Sequence, residues 1–376
     1  MKKALAIMIF AAMSTTMAAQ TAAPQLTEQQ KRTLQNGWLN HLDVAFSIGT
    51  TGLGFDLSAP MTDWARVRIG AMFMPKFDYT AKFSMEVGET GTAAEKEARF
   101  QKLADLMENF CGTRPENSVD MAIEPTMNNF KFLVDVFPLK NNRHWHVTAG
   151  FYLGSGTLGK AYNTTECMSS LVAVSMYNSM YKRAEGWLPL IQYGDISIYN
   201  EQVQEKLLSY GAVTIPLGEF THDIIATEDV YYDHRICDEN GMPVHMEGTL
   251  KYAKGDVMYH KGDTYRMTTD QYDMVRANAK VNKFKPYLGI GYNGAISNDG
   301  RTTISADAGV LFWGGKPSVI TQTPSGIDAD GNTTYLSVDM MRDLTNIPGK
   351  VGDYVDLASK LAVYPVISIR IAQRLF

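Results

Sequence analysis

The sequence predicts an all-β chain: an antiparallel transmembrane β-barrel, eight strands favoured and ten the alternative, with a long helix-containing insertion on one side. Three observations point there. Apolar residues recur at every second position through most of the chain, and the intervening positions hold glycine, small residues and full charges. Aromatic residues gather near strand ends, at Trp64, Phe137, Trp145, Tyr287, Phe312 and Trp313. The sequence also ends on an alternating segment whose last residue is Phe376.

Composition narrows the class first. The 376 residues are 45% hydrophobic and 20% charged, which is too apolar for a disordered chain. Three cysteines are too few for a disulfide scaffold. A formal charge of -5 leaves no basic footprint for nucleic acid. Lys2 and Lys3, the apolar run Ala4 to Met13 and the small residues to Ala19 follow the order of a cleavable signal peptide, residues 1–19. That run of ten is too short to span a bilayer as a helix. Export would bring Cys111, Cys167 and Cys237 into an oxidising space, where one pair could bridge.

The elements follow in order. After an N-terminal periplasmic segment, 20–41, the barrel is expected over 42–376. Strands are read at 42–49, 51–58, 64–87, 118–138, 143–157, 280–293, 302–313 and 363–376. In the first, Leu42, Val44, Phe46 and Ile48 alternate with Asp43, Ala45 and Ser47. Gly49-Thr50-Thr51-Gly52 then makes either a turn or a kink in one strand. Later, Val67, Ile69 and Phe73 oppose Arg66, Arg68 and Gly70; Trp145, Val147 and Phe151 oppose His146, Thr148 and Tyr152. Short turns at 59–63, 140–143 and 297–300 alternate with insertions at about 88–117 and 158–278, the short and long ends of an outer-membrane barrel. The first insertion carries a helical pattern over Ala93–Phe110, the second near Glu166–Glu185 and Glu201–Ser209. A hairpin within Lys316–Asp339 would raise the count to ten.

Several blocks, in order, resemble a family of small bacterial outer-membrane barrels of the outer-membrane protein A-like form. They include Gly49 to Gly54, Val134-Asp135-Val136-Phe137-Pro138, Pro286-Tyr287-Leu288-Gly289-Ile290-Gly291, Ala308 to Phe312 and Tyr364-Pro365-Val366. They cover about a third of the chain. The resemblance implies an outer-membrane location and barrel architecture, and no reaction. Its partners would be outer-membrane lipid and lipopolysaccharide, with the barrel-assembly machinery during biogenesis. Two departures stand out. The second insertion is long for such barrels. The terminal strand places Arg370 and Arg374 on the parity of Phe376, the barrel-assembly terminus, which a bulge near Gln373 would correct.

The polar faces carry the candidate site. Arg66, Arg68, Lys82, Lys131, Arg370 and Arg374 share them with Asp56, Asp78, Glu86, Asp120, Asp135 and Asp307. Charges in a narrow lumen must pair, because an unpaired buried charge is costly. The expectation is an ion-paired, mostly closed interior with a structural or surface-interaction role. A small-solute pore lined by the same charges is the alternative. An enzyme is not expected. His146 with Ser305 and Asp307 could form a hydrolase site, yet no nucleophile elbow accompanies them. His144 and His146 lack a third metal ligand, and Asp328 to Asp339 reads better as an Asp-Gly turn than as a calcium loop. No metal or cofactor is expected. Tyr177, Tyr181, Trp187, Tyr193, Tyr199, Tyr210, Tyr231 and Tyr232 of the second insertion suit either an extracellular protein or glycan ligand or a small core of their own.

Overall fold

The computed structural model describes residues 41–375 apart from 77–78, 140–141, 187, 194–195, 234–235, 238–242, 245–249 and 361. The signal-peptide segment, Asp78, Trp187, Phe376 and the Asn240-Gly241 pair, which the sequence suggests as a turn in the second insertion, therefore lie outside the described residues.

Eight antiparallel strands close a barrel: β1 (Asp43–Gly49), β2 (Gly52–Thr62), β3 (Ala65–Phe73), β4 (Asn129–Val136), β5 (Trp145–Gly154), β6 (Phe284–Ala295), β7 (Thr302–Leu311) and β8 (Tyr364–Arg374). Each pairs with its neighbour in sequence, and β8 closes on β1 from Asp43↔Arg374 to Gly49↔Ser368. Successive Cβ atoms point to opposite faces of a strand, so alternation becomes two surfaces. Phe46, Ile48, Phe55, Leu57, Ile69, Leu288, Ile290, Ile367, Ile369 and Ile371 are exposed on the outer wall. Asp56, Arg68, Lys131, Asp135, His146, Asp307 and Arg370 are buried inside. The outer wall bears the aromatics Trp64, Trp145 and Phe312, whereas Tyr287 points inward and Trp313 is buried. No bulge shifts β8: Gln373 stays in register with both Val44 and Thr302. Arg370 faces the lumen because the neighbouring isoleucines hold the outer parity.

At the end holding both β1's start and β8's finish, the strands join through short connections. At the other end the connections are long and build a folded cap. The Gly49–Gly52 segment is a turn, with Gly52 at φ +102°, and it alone is short at the cap end. The cap holds α1 (Ala93–Cys111), α2 (Met168–Glu185), α3 (Glu201–Tyr210) and α4 (Gly349–Lys360). Thr92 and Glu95 form a capping box at the start of α1, and Gly112 in the left-handed region ends it. Asn200 caps α3 by accepting from the Val203 amide.

The predicted strands over 64–87, 118–138, 143–157 and 280–293 prove to be runs broken at the barrel rim, and 302–313 is continued beyond it. After β3 the chain re-forms as Tyr79–Ser84; Ser118–Pro125 leads into β4, and Thr157–Asn163 follows β5. Arg276–Lys280 leads into β6, and Ser318–Ile327 follows β7. These five segments pair in the same order as the barrel strands they continue. The cap sheet thus extends five of the eight strands of the barrel wall. Pro75 and Pro125 help interrupt the ladder between the two, since proline donates no backbone hydrogen bond. The hairpin expected within 316–339 exists, as Ser318–Ile327 with Thr333–Asp339, and belongs to the cap. The barrel therefore stays at eight strands. Phe100, Leu103 and Met107 of α1 pack with Leu171, Val174 and Tyr177 of α2 and Phe220, Tyr265 and Met267 of the cap strands, giving the cap its own core.

Candidate functional site

The lumen is built from inward positions of all eight strands, and its charges form two clusters. In the first, Asp56 on β2 lies 2.7 Å from Lys131 Nζ on β4 and 2.7 Å from Arg370 Nε on β8. Arg370 also donates to Ser58 Oγ (2.8 Å), and Lys131 to Ser47 Oγ (3.3 Å). In the second, Asp135 lies 2.8 Å from both Arg66 and Arg68. Arg68 continues to Asp307 at 3.2 Å, and His146 Nε2 stands 2.8 Å from the same carboxylate. Thr148 Oγ1 accepts from Arg68 and donates to Asp135. Arg66 also lies over the Phe137 ring, 5.5 Å from its centre.

Glycines make this packing feasible. A Cβ on Gly291 would collide with His146 Nε2 and Asp307 Oδ1, and one on Gly289 or Gly309 with the Tyr287 hydroxyl. Tyr287 and Tyr152 meet Met72, Leu133, Leu311 and Val366 in an apolar cluster that fills another part of the lumen. Lys285 near the cap end is fully buried and donates to Asn129 Oδ1 and Ser155 O, both at 3.0 Å.

The structure brings Asp56, Arg66, Arg68, Lys131, Asp135, Asp307 and Arg370 together inside the barrel. Three expected members, Lys82, Glu86 and Asp120, are in the cap instead. Lys82 sits on the cap sheet, exposed, 3.8 Å from Asp120. Glu86 lies in the cap, 2.7 Å from Lys96 and 3.7 Å from Arg266. Their alternation is real, but the segments carrying them lie beyond the barrel. Arg374 lies at the open end with Asp43 at 3.7 Å. Lys285 is a lumen cation beyond the expected set, although its parity between Phe284 and Pro286 places it inward. Among the described inward residues, the cations Arg66, Arg68, Lys131, Lys285, Arg370 and Arg374 outnumber Asp43, Asp56, Asp135 and Asp307 by two.

The hydrolase arrangement does not assemble. Asp307 and His146 meet, but the other His146 nitrogen is 3.3 Å from Asn293 Nδ2, and Ser305 Oγ is buried without a hydrogen-bond partner. His144 stacks on Tyr292 outside the lumen. Among the described residues no group of three or more His, Cys, Asp or Glu side chains is placed to hold a metal. Asp328 accepts from the Asp330 and Asn332 amides and so closes a hairpin turn, while Asp339 caps other amides at the far end of that hairpin. Cys111 and Cys167 are free.

In the cap, a polar cavity of about 810 Å³ lies among Arg99, Tyr181, Lys182, Tyr210, Arg266 and Asp270. On its border Lys251 donates to Ser325 O (3.1 Å) under the rings of Tyr232 and Tyr252, and burial lowers its ammonium pKa. Burial, with Tyr252 and Tyr265 beside it, pushes the Tyr259 phenol up to about 12. Tyr177 is wholly buried in the cap core, donating to Gly211 O, whereas Tyr199 and Tyr232 are exposed. The insertion's aromatics therefore divide between a core and a surface.

No protein-family model matches this chain, and no curated protein matches its sequence. Among solved structures it is similar to Acinetobacter baumannii CarO2, with 11% identity and a TM-score of 0.31 over 89% of this chain and 98% of that one. Acinetobacter baumannii CarO gives 12% and 0.30, over 89% and 97%. A major outer membrane protein from Thermus thermophilus gives 12% and 0.25, over 89% and 98%. The closed barrel rests on its own strand pairing.

Proposed function

We propose that this chain is an integral outer-membrane barrel with a closed interior, and that its role is structural or surface interaction through the cap, without catalysis. The observation that carries this reading is the division of the wall. Isoleucine, leucine and phenylalanine side chains stand exposed outside, while paired charges are buried inside, the reverse of a soluble protein. Eight neighbour-paired strands are also the form of the small outer-membrane protein A-like barrels, whose interiors side chains fill. In this reading residues 1–19 direct export, the short connections face the periplasm, and the cap faces outward. Outer-membrane lipid and lipopolysaccharide surround the wall, and the barrel-assembly machinery inserts it. The exposed tyrosines and the polar cap cavity would meet an extracellular protein or glycan.

A small-solute pore is the second reading, and the cation excess of the lumen favours it: an opened interior would prefer anions. Planar-bilayer recording tests both. The closed reading expects a quiet, inserted protein that shifts on heating in a detergent gel. Large, steady, anion-selective openings would replace it with the pore.

A further inference from the structure

The barrel wall is uneven at the cap end. β3 to β7 continue into the cap sheet, whereas β1 and β2 join at once through Thr50 and Thr51. Between that low turn and the links overhanging it lies a cleft of about 430 Å³, within the range of roughly 300–1,000 Å³ usual for small-ligand sites. Ile48 and Leu53 form its lower wall, and Met74, Met127 and Leu158 its roof. Thr50 and Tyr364 bring polar groups to the lining, and these are engaged with the chain. Tyr364 donates to Thr50 O at 2.6 Å, and Thr50 Oγ1 donates to Pro365 O while accepting from the Ile367 amide. An occupant is therefore recognised by apolar surface alone.

The position of the cleft says which occupant that is. Ile48 is 53% exposed and belongs to the outer row that runs through Phe46, Ile369 and Ile371 on β1 and β8. The cleft opens from this row and runs beneath the cap. Filling it with water would leave apolar surface hydrated on every side, which the hydrophobic effect opposes. We propose that the cleft takes one acyl chain of an outer-leaflet bilayer lipid, which enters from the lipid-facing wall and lies under the cap with its headgroup at the rim. The proposal rests on the membrane-spanning reading above. It adds a defined lipid site, where that reading requires only a lipid-covered wall.

The test uses the mature chain folded into vesicles of phosphatidylethanolamine and phosphatidylglycerol, extracted in mild detergent and weighed by native mass spectrometry. The wild type is expected to keep one phospholipid under activation that strips the annular lipids. Leu158→Trp fills the roof and should lower retention at least about tenfold. Met74→Trp serves as an independent filler if the first variant misfolds. Leu158→Ala, which enlarges the cleft, should keep the lipid. Equal retention in wild type and both fillers overturns the site, as does a wild type that floats with vesicles and carries no lipid. A preference for added free fatty acid over phospholipid also counts against it. Failure of the wild type to float or to shift on heating would instead overturn the membrane reading itself.

Discussion

Asp56 is the acid that Lys131 and Arg370 share, so Asp56→Asn is the sharpest probe of the lumen. The change keeps shape and hydrogen-bonding capacity while removing one charge. Lys131 and Arg370, each 2.7 Å from the carboxylate and at most 5% exposed, both lose their counter-ion. Opposite charges about 4 Å apart attract by about 4 kcal/mol at an effective dielectric of about 20. The carboxylate's own desolvation penalty disappears with its charge, and Ser58 and Ser47 still accept from the two cations. Removal of one partner from a buried pair costs about 3–5 kcal/mol, and this range applies here. That corresponds to roughly two to four decades in the unfolding equilibrium. Urea titration in vesicles, followed by tryptophan fluorescence, reads it as a lower midpoint at unchanged slope. Lys131→Met added to Asp56→Asn removes one stranded cation and should recover part of the loss. An Asp56→Asn protein within about 0.5 kcal/mol of wild type, and equally silent in bilayers, would refute a lumen held shut by ion pairing.

Three further outcomes are expected. Gly291→Ala drives a methyl group between His146 and Asp307 and should cost about 1–3 kcal/mol, as overpacking does, whereas Gly294→Ala meets only Ile304 and should be neutral by the same titration. Cys111 is exposed at the end of α1, so a membrane-impermeant maleimide should label it on intact cells; protection until lysis would reverse the proposed orientation. The cap should lose stability as pH rises from about 10 towards about 12. Tyr259 keeps its proton longer in the folded cap than in the unfolded chain, so the stability it contributes is present below the ordinary phenol pKa and is lost through its raised one. Circular dichroism during alkaline titration, with Tyr259→Phe flattening that dependence, checks this.

The helix expected over Ala93–Phe110 needs only local signals, a Thr92–Glu95 capping box and a glycine stop, and it forms as Ala93–Cys111. α4 (Gly349–Lys360) is not among the expected helices, although Val351, Tyr354, Val355 and Ala358 stand at the helical spacing i, i+3, i+4 and i+7. In the lumen, Arg66 and Asp135 are each legible as inward from the parity of their own strands. Lys82 and Glu86 obey the same parity and still lie outside the barrel, because alternation carries no information on where a strand leaves the wall. That decision belongs to the links at Met74-Pro75 and Pro125 to Asn128, where the ladder breaks.

By itself the sequence determined which face of each strand is apolar and which end bears the long connections, and it favoured eight strands over ten. These follow from the two-residue repeat and chain length, which are properties of neighbouring residues. Only the tertiary structure decided that Asp56 serves Lys131 and Arg370, that Asp307 meets Arg68 and His146, and that five of the eight strands rise into a cap. Those pairings depend on closure and stagger of the barrel, which bring together residues as far apart as Asp56 and Arg370. The same closure leaves β1 and β2 as the low side of the rim, where the apolar cleft opens.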